Sequence, residues 1–471
     1  MKFTPLHFLL FAAALGMPVF GAASAPRPNI LFIAVDDLRD WLGYYQRHPQ
    51  ALTPNFDRLA ARGVAFTRAY CAAPACNPSR AALMSGLRPS TTGVYNNNQD
   101  WRPVVARELT LVSTLKTAGY RTLGAGKIYH GGFDRTAEWD HYEPKGGPDP
   151  VTKTEPVGKL RFGPLDCDDD DLRDGRIASY AVRQLGQEHD RPFFLCAGFI
   201  KPHLPFSVPR KYFDLHPLEN IQLPVVNNGD LADVPEAGKA MAHQNTDHAD
   251  VLESGRWKEI IQAYLASVSY TDAMLGRVLD ALDHSAHRDN TIIVLWSDHG
   301  WSLGEKEHWR KFALWEEPTR SPLIWVVPGL TKPRGVSTRA VDLMSIYPTL
   351  TSLVGLPTPK HVEGENIRAL LANPGATWNR PAITTWGRNN HTVRSNDWRY
   401  IRYADGSEEL YDAKADPCEW RNLASDPAFA ETKAELAKFM PNKNGPNLPT
   451  KHGPNGGKGP KNKAGKKSTD N

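Results

Sequence analysis

Asn29-Ile30-Leu31-Phe32-Ile33-Ala34-Val35 runs directly into Asp36-Asp37. A short, nearly unbroken apolar run of this kind lacks the in-out alternation of a half-exposed strand, so it predicts a strand buried on both faces. Phe193–Ile200, Thr291–Trp296 and Leu323–Val327 have the same character, and Tyr120–Ala125 is strand-like. Helical segments lie between them, at Thr53–Arg62, Glu108–Ala118, Asp174–Gln187 and Trp257–Leu282. Strands alternating with helices predict an α/β fold with a largely parallel central sheet flanked by helices. From about Pro357 the pattern changes. Ala382–Trp386, His391–Arg394, Trp398–Tyr403 and Glu409–Asp412 are short strand candidates parted by Asn, Asp and Gly turns, followed by a helix at Pro427–Phe439. These predict a smaller C-terminal antiparallel α+β subdomain.

Polar clusters begin where the buried strands end. Asp36-Asp37 follows the first strand, and Ser297-Asp298-His299-Gly300 follows Thr291–Trp296. Ligands of open α/β sheets bind outside the carboxyl ends of the strands, so both clusters are expected at one sheet edge. Three carboxylates packed together repel unless a cation joins them. Oxygen donors favour Ca²⁺ or Mg²⁺ over zinc, and His299 is the unusual member of such a set. Taken alone, Asp36-Asp37 is equally a turn or cap pair.

A third island is Cys76-Asn77-Pro78-Ser79-Arg80. Pro78 suits the first position of a helix, and Ala81, Ala82, Leu83 and Met84 continue it as good helix formers. Residue 76 is then expected at a helix N-terminus, where free N–H groups and the positive dipole end favour an anion. Arg80 adds a planar fork of donors. The acidic run Asp166 and Asp168–Asp171 invites a second metal site, but acids also stabilise the start of a helix, here near Asp174.

Cys-x-Pro-Ser-Arg, continued by Ala81-Ala82-Leu83-Met84-Ser85-Gly86-Leu87-Arg88-Pro89, resembles the signature of the type I sulfatases. In that family the Cys is oxidised after synthesis to formylglycine. Asp298-His299 stands where arylsulfatases generally carry Asp-Asn, and this form is similar to the iduronate-2-sulfatase group. So are Asn98-Gln99-Asp100-Trp101-Arg102, Gly126-Lys127-Ile128-Tyr129-His130, Lys201-Pro202-His203-Leu204-Pro205-Phe206 and Ser297 to Glu305. The resemblance runs from about Arg27 to about Leu436. Asn77 departs from it, where Ala is more usual, and Lys306-Glu307-His308 falls in a variable stretch.

The resemblance implies an alkaline-phosphatase-like fold and a role for each group. Asp36, Asp37, Asp298 and His299, with an oxygen of modified Cys76, would hold one divalent cation, calcium being the expected ion. A hydroxyl of the formylglycine hydrate would attack sulfur, with Arg80, Lys127 and Lys311 neutralising charge. His203 would protonate the departing sugar oxygen, and His130 would deprotonate the second hydroxyl to expel sulfate. Lys127 and His130 also fit surface positions, His203 fits a hydrogen-bonded core imidazole, and Lys306, Arg310 and Lys311 cluster so that any could be solvated. The implied enzyme is a sulfuric ester hydrolase acting on a sulfated polysaccharide or oligosaccharide, with the 2-O-sulfate of a uronic acid leading, matured by a formylglycine-generating enzyme. A phosphoester hydrolase of the same superfamily and an inactive polysaccharide-binding homologue are the alternatives.

A chain of 471 residues with 41% hydrophobic composition can bury a sizeable core. Lys2, the apolar stretch Leu6 to Phe20 and Gly21-Ala22-Ala23-Ser24-Ala25 predict a signal peptide over residues 1–24, hence a secreted or periplasmic protein. That stretch is too short to span a bilayer, and no later segment is long enough. Residues 25–356 then form the catalytic domain, 357–440 the subdomain, and 441–471 a Gly-, Pro-, Asn- and Lys-rich tail expected to be disordered. The tail holds seven lysines and Asp470, so the net charge of +4 misrepresents a slightly acidic body, and nothing points to nucleic acid. Besides Cys76, the cysteines are Cys71, Cys167, Cys196 and Cys418. Sequence assigns no pairs among them, and Cys196, in an apolar run, reads as a buried free thiol.

Overall fold

The computed structural model describes residue 1 and residues 27–450. The expected signal peptide, and the tail beyond residue 450, lie outside the described residues. Eight strands form the central sheet: β1 (Asn29–Val35), β2 (Val64–Phe66), β3 (Arg121–Gly126), β4 (His141–Tyr142), β5 (Phe193–Phe199), β6 (Thr291–Ser297), β7 (Leu323–Val326) and β8 (Gly335–Ser337). Their order is β8-β2-β7-β6-β1-β5-β3-β4. β1 is parallel to both its neighbours, with Ile33 opposite Ala197 on one side and Leu295 on the other. Every residue of β1, β5 and β6 is buried, as a central parallel sheet requires.

β7 runs antiparallel to β6 and β2, unlike the other strands. The chain leaves β6 at one sheet edge, builds residues 298–322 there, and re-enters from the same edge. Only a crossover to the far edge would have made the pairing parallel.

β1 divides the core. Leu31, Ile33 and Val35 face a layer containing α2 (Arg173–Leu185) and α3 (Trp257–Asp283). Ile30, Phe32 and Ala34 face the layer containing α1 (Cys76–Ser85). The helix expected over Glu108–Ala118 is shorter, Leu111–Thr117, because Thr110 ends a preceding turn and caps it by accepting from the Ser113 N–H. A separate antiparallel sheet, β9 (Ala382–Thr385), β10 (His391–Arg394), β11 (Trp398–Arg402) and β12 (Glu408–Asp412), carries the helix Ala430–Ala437.

The expectation of a disordered tail from residue 441 needs correction for its first ten residues. Gly445 N–H donates to the Ser90 carbonyl (2.7 Å), Leu448 N–H to Gly93 (3.2 Å), and Gln99 Nε2 to the Leu448 carbonyl (2.8 Å). The stretch is held through its backbone, which composition does not report. Cys71, Cys76, Cys167, Cys196 and Cys418 are all free thiols, and Cys196 is buried. Among the described residues, no helix is long and apolar enough to cross a membrane.

Candidate active site

Strand order places the site. β6, β1, β5 and β3 are consecutive in the sheet, and their carboxyl ends deliver Asp298-His299, Asp36-Asp37, the Lys201–His203 loop and Lys127 to one edge. Gly126 ends β3 at φ +82°, and a Cβ there would lie 2.1 Å from the Gly198 carbonyl oxygen. Only glycine permits that turn and approach, and it lets the Lys127 N–H reach the same carbonyl at 2.8 Å. Asp37 is itself left-handed at φ +59°, a conformation costing a non-glycine residue about 1–3 kcal/mol unless its surroundings enforce it. Tyr264 of α3 enforces it, donating to the Asp37 carbonyl (3.0 Å) and accepting from the Arg39 N–H (3.0 Å).

α1 brings Cys76 to this edge. The helix begins at Cys76 itself, so Pro78 sits third in its first turn, where its missing N–H again leaves no bond unmade. Cys76 Sγ lies 2.9 Å from Lys311 Nζ and 3.4 Å from His299 Nε2. The Lys311 ammonium also meets Asp37 Oδ1 at 2.6 Å. Burial and Asp36 push the Cys76 thiol up, but Lys127 and Lys311 outweigh them and its pKa falls below the ordinary value. Asn77, the departure from the family pattern, is buried. Its N–H donates to Asn97 Oδ1 (2.9 Å) and its amide to the Asn96 and Gln99 carbonyls (3.0 and 2.7 Å), tying the helix start to the 96–99 loop.

Arg80 is fully buried and donates to Asp298 Oδ2 (2.8 Å), Asp36 Oδ1 (3.1 Å) and the carbonyls of Lys127 and Ile128. Its fork therefore orients two carboxylates instead of facing the cleft, whereas Lys127 and Lys311 each line an opening beside the site. Lys127 pairs with Asp36 Oδ2. Burial raises the Asp36 carboxyl, yet Lys127, His203, Arg80 and Lys311 together hold it well below the usual carboxylate range. Burial prevails at Asp37, whose pKa is raised.

The donor set fits a hard cation. Ligand atoms of Asp36, Cys76, Asp298 and His299 lie within 4.8 Å of one another, as do those of Asp36, Asp37, Cys76 and His203. Asp37 Oδ2 is buried with no hydrogen-bond partner among the described residues. His299 Nδ1 donates to the Gly300 carbonyl (2.9 Å), which turns Nε2 toward Asp37 Oδ1 (3.3 Å) and Asp298 Oδ1 (3.6 Å). Burial lowers the His299 pKa but Asp298 carries it above its ordinary value, so positive charge is favoured at this point. The acidic run that invited a second metal site is paired instead: Asp166 with Arg210, Asp169 with Lys211, and Asp170 with Arg277.

His130 and His203 border a common cavity of about 330 Å³ together with Lys127. His203 Nδ1 donates to the Leu204 carbonyl (2.6 Å), leaving Nε2 directed at Asp37 Oδ2, 3.8 Å away. Its loop is fixed by buried Asp174, which accepts from the Ile200 and Lys201 N–H groups (2.8 and 2.7 Å). Tyr264 and Asp174 are supports that sequence reasoning missed. A Tyr within an apolar helix reads as core, and an Asp at a helix start reads as a cap.

A buried thiol at a helix start, a candidate cation site and flanking imidazoles gather at the carboxyl edge of an α/β sheet of the alkaline-phosphatase-like fold class. The chain belongs to the sulfatase family, whose profile matches residues 28–356, while the profile "N-sulphoglucosamine sulphohydrolase, C-terminal" matches residues 304–444. It is 41% identical over 450 residues to a sulfatase of Formosa agariphila, covering 89% of this chain and 87% of that one. It is 31% identical to the iduronate 2-sulfatase of Mus musculus, covering 88% and 94%. In fold it matches a solved 2-O GAG sulfatase with TM-score 0.70 at 24% identity, covering 88% and 91%.

Proposed function

We propose that this sulfatase removes the 2-O-sulfate of a uronic acid from a sulfated polysaccharide or its oligosaccharides, with residue 76 as formylglycine. The observation that carries the reading is Cys76 at a helix start between Lys311 and His299, inside a ring of carboxylates and cations. Similarity to an iduronate 2-sulfatase and to a 2-O GAG sulfatase supports the substrate class. Maturation by a formylglycine-generating enzyme, export to the periplasm or outside the cell, and a division into a catalytic domain to residue 356 and a subdomain beyond it belong to the same proposal.

Asp36, Asp37, Asp298 and His299 would hold a calcium ion, which when bound polarises a sulfate oxygen and lowers the pKa of a hydroxyl on residue 76. Lys311 and Lys127 place fixed positive charge beside the transferring sulfuryl group, and Arg80 keeps Asp36 and Asp298 aligned. His203 presents Nε2 to the leaving sugar oxygen. Burial pushes its pKa down to about 4, but 35% of its side chain is open, so an arriving sulfate raises it and equips it to give up a proton. His130, also pushed down to about 4 by burial, would accept one as a neutral imidazole.

Peptide mass spectrometry of residue 76 together with turnover tests this reading. The expected result is a mass about 18 Da below cysteine, as conversion to the aldehyde requires, and loss of sulfate release in Cys76→Ser. An unmodified serine at 76 that still releases sulfate from an oligosaccharide near the wild-type rate overturns it.

A further inference from the structure

His203 separates two openings. One is the cavity shared with Lys127 and His130; the other, of about 320 Å³, lies beyond Leu204 and Pro205 and is shared with Lys311. Both have basic rims, but only one rim is neutralised. On the Lys127 side, Lys145 pairs with Asp134 (3.5 Å), and Arg173 and Arg176 both pair with Asp149 (3.0 and 3.7 Å). On the Lys311 side, Arg310 is held bidentate by buried Asp247 (2.5 and 3.0 Å). Lys159 and Arg161 line that second opening, are exposed, and make no ion pair or side-chain hydrogen bond among the described residues.

Their placement is built by the fold. Val157 and Leu160 close a tight turn through reciprocal backbone bonds (3.0 and 2.8 Å), with Gly158 left-handed at φ +52°. Val157, before the turn, and Leu160 and Phe162, after it, are buried, while Lys159 and Arg161, flanking Leu160, are exposed. The turn is stitched to the His203 loop, since the Phe206 N–H donates to the Arg161 carbonyl (2.9 Å) and the Gly163 N–H to that of Phe206 (3.0 Å). Phe312 completes the opening and packs against Trp386, ring centroids 5.0 Å apart and planes tilted by 31°, an apolar surface suited to a sugar ring. Two unpaired cations fixed beside a sulfate site are matched by a substrate that carries a second negative charge.

We propose that Lys159 and Arg161 form an anion subsite that holds a carboxylate or a second sulfate on the saccharide whose ester is cleaved at residue 76. This rests on the saccharide reading above. Exposed pairs contribute up to about 1 kcal/mol each, so removing both cations is expected to raise KM about tenfold. The experiment compares wild type, Lys159→Ala/Arg161→Ala and the charge-conserving Lys159→Arg/Arg161→Lys on a sulfated uronic-acid oligosaccharide, on its carboxyl-reduced form, and on the form stripped of its other sulfates. Inhibition by inorganic sulfate, which has no sugar to span the cleavage position and the subsite together, is measured alongside. Expected are a raised KM with kcat kept in the alanine pair, recovery in the conservative pair, and an unmoved inhibition constant for inorganic sulfate. Whichever substrate loses the gripped group should show the penalty already in wild type, with no further loss in the variant. A wild type that cleaves the oligosaccharide no better than the alanine pair overturns the subsite alone, as does a parallel rise in the inorganic sulfate constant. A wild type that cleaves no sulfated saccharide overturns the substrate reading and the subsite with it.

Discussion

Two imidazoles border one cavity, and the proposed mechanism gives them different halves of the catalytic cycle. His203 is anchored through Nδ1, with Nε2 toward Asp37, while buried His130 Nδ1 has no hydrogen-bond partner among the described residues. Removing a general acid matters most when the leaving group is basic, and such help is worth about 10² to 10⁴ in rate. His203→Ala should therefore lose far more activity on a sugar sulfate than on an aryl sulfate. His130→Ala should stop the cycle after sulfuryl transfer, leaving residue 76 heavier by about 80 Da than its formylglycine hydrate, the sulfuryl group retained by a covalent mechanism. Rates on both substrates and intact masses after quenching check the assignment. Equal penalties on the two substrates, with no adduct, mean the roles are wrong.

Between helices, buried polar side chains do what local caps elsewhere do. The helix Pro54–Arg62 has no side-chain cap from Thr53; its start is capped instead by Asp272 of α3, which accepts from the N–H groups of Asn55 and Phe56 (2.9 and 2.8 Å) and the Asn55 amide (2.8 Å). Asp272→Ala strands these donors and should lower stability by about 3 kcal/mol, read as a fall in melting midpoint. Asp272→Asn, which keeps one acceptor oxygen, should lose less. Burial raises the Asp272 carboxyl to about 6, above its ordinary 3.8. A raised carboxyl binds its proton more tightly when folded, so its contribution is complete below about pH 4 and fades as pH climbs through about 6. Wild type should lose stability relative to Asp272→Asn across that window, and a constant difference contradicts the assignment. The C-terminal sheet acts similarly on the site: Arg399 of β11 donates to the Leu314 carbonyl (3.0 Å) and pairs with Glu316 and Glu419, bracing the segment that follows Lys311.

Across the whole molecule, the candidate cation site joins segments far apart in the chain: the ends of β1 and β6 and the start of α1. A ligand that binds only the folded state stabilises it by about 2.7 kcal/mol at a hundred times its dissociation constant. Chelation should then lower both the melting midpoint and activity, and calcium should restore both. Asp298→Ala should show no calcium-dependent shift in midpoint. A metal-free preparation, verified by elemental analysis, that melts and turns over like the untreated protein contradicts the cation site.

Local pattern was enough to place the buried strands, the helix start at Cys76 and the polar residues at strand ends, because strand burial and helix capping are written in neighbouring side chains. The motifs also sufficed for the family. Tertiary structure alone decided which of three clustered cations reaches the candidate site: Lys306 goes to Asp230, Arg310 to Asp247, and of the three only Lys311 reaches Asp37 and Cys76. Their partners come from segments distant in sequence, so no local pattern distinguishes them. The direction of β7 depended on which edge the chain re-enters, and the docking of residues 441–450 on backbone bonds that side-chain composition does not encode. Arg80 turned inward for the same reason, since the two carboxylates that hold it arrive from β1 and β6 only when the sheet assembles.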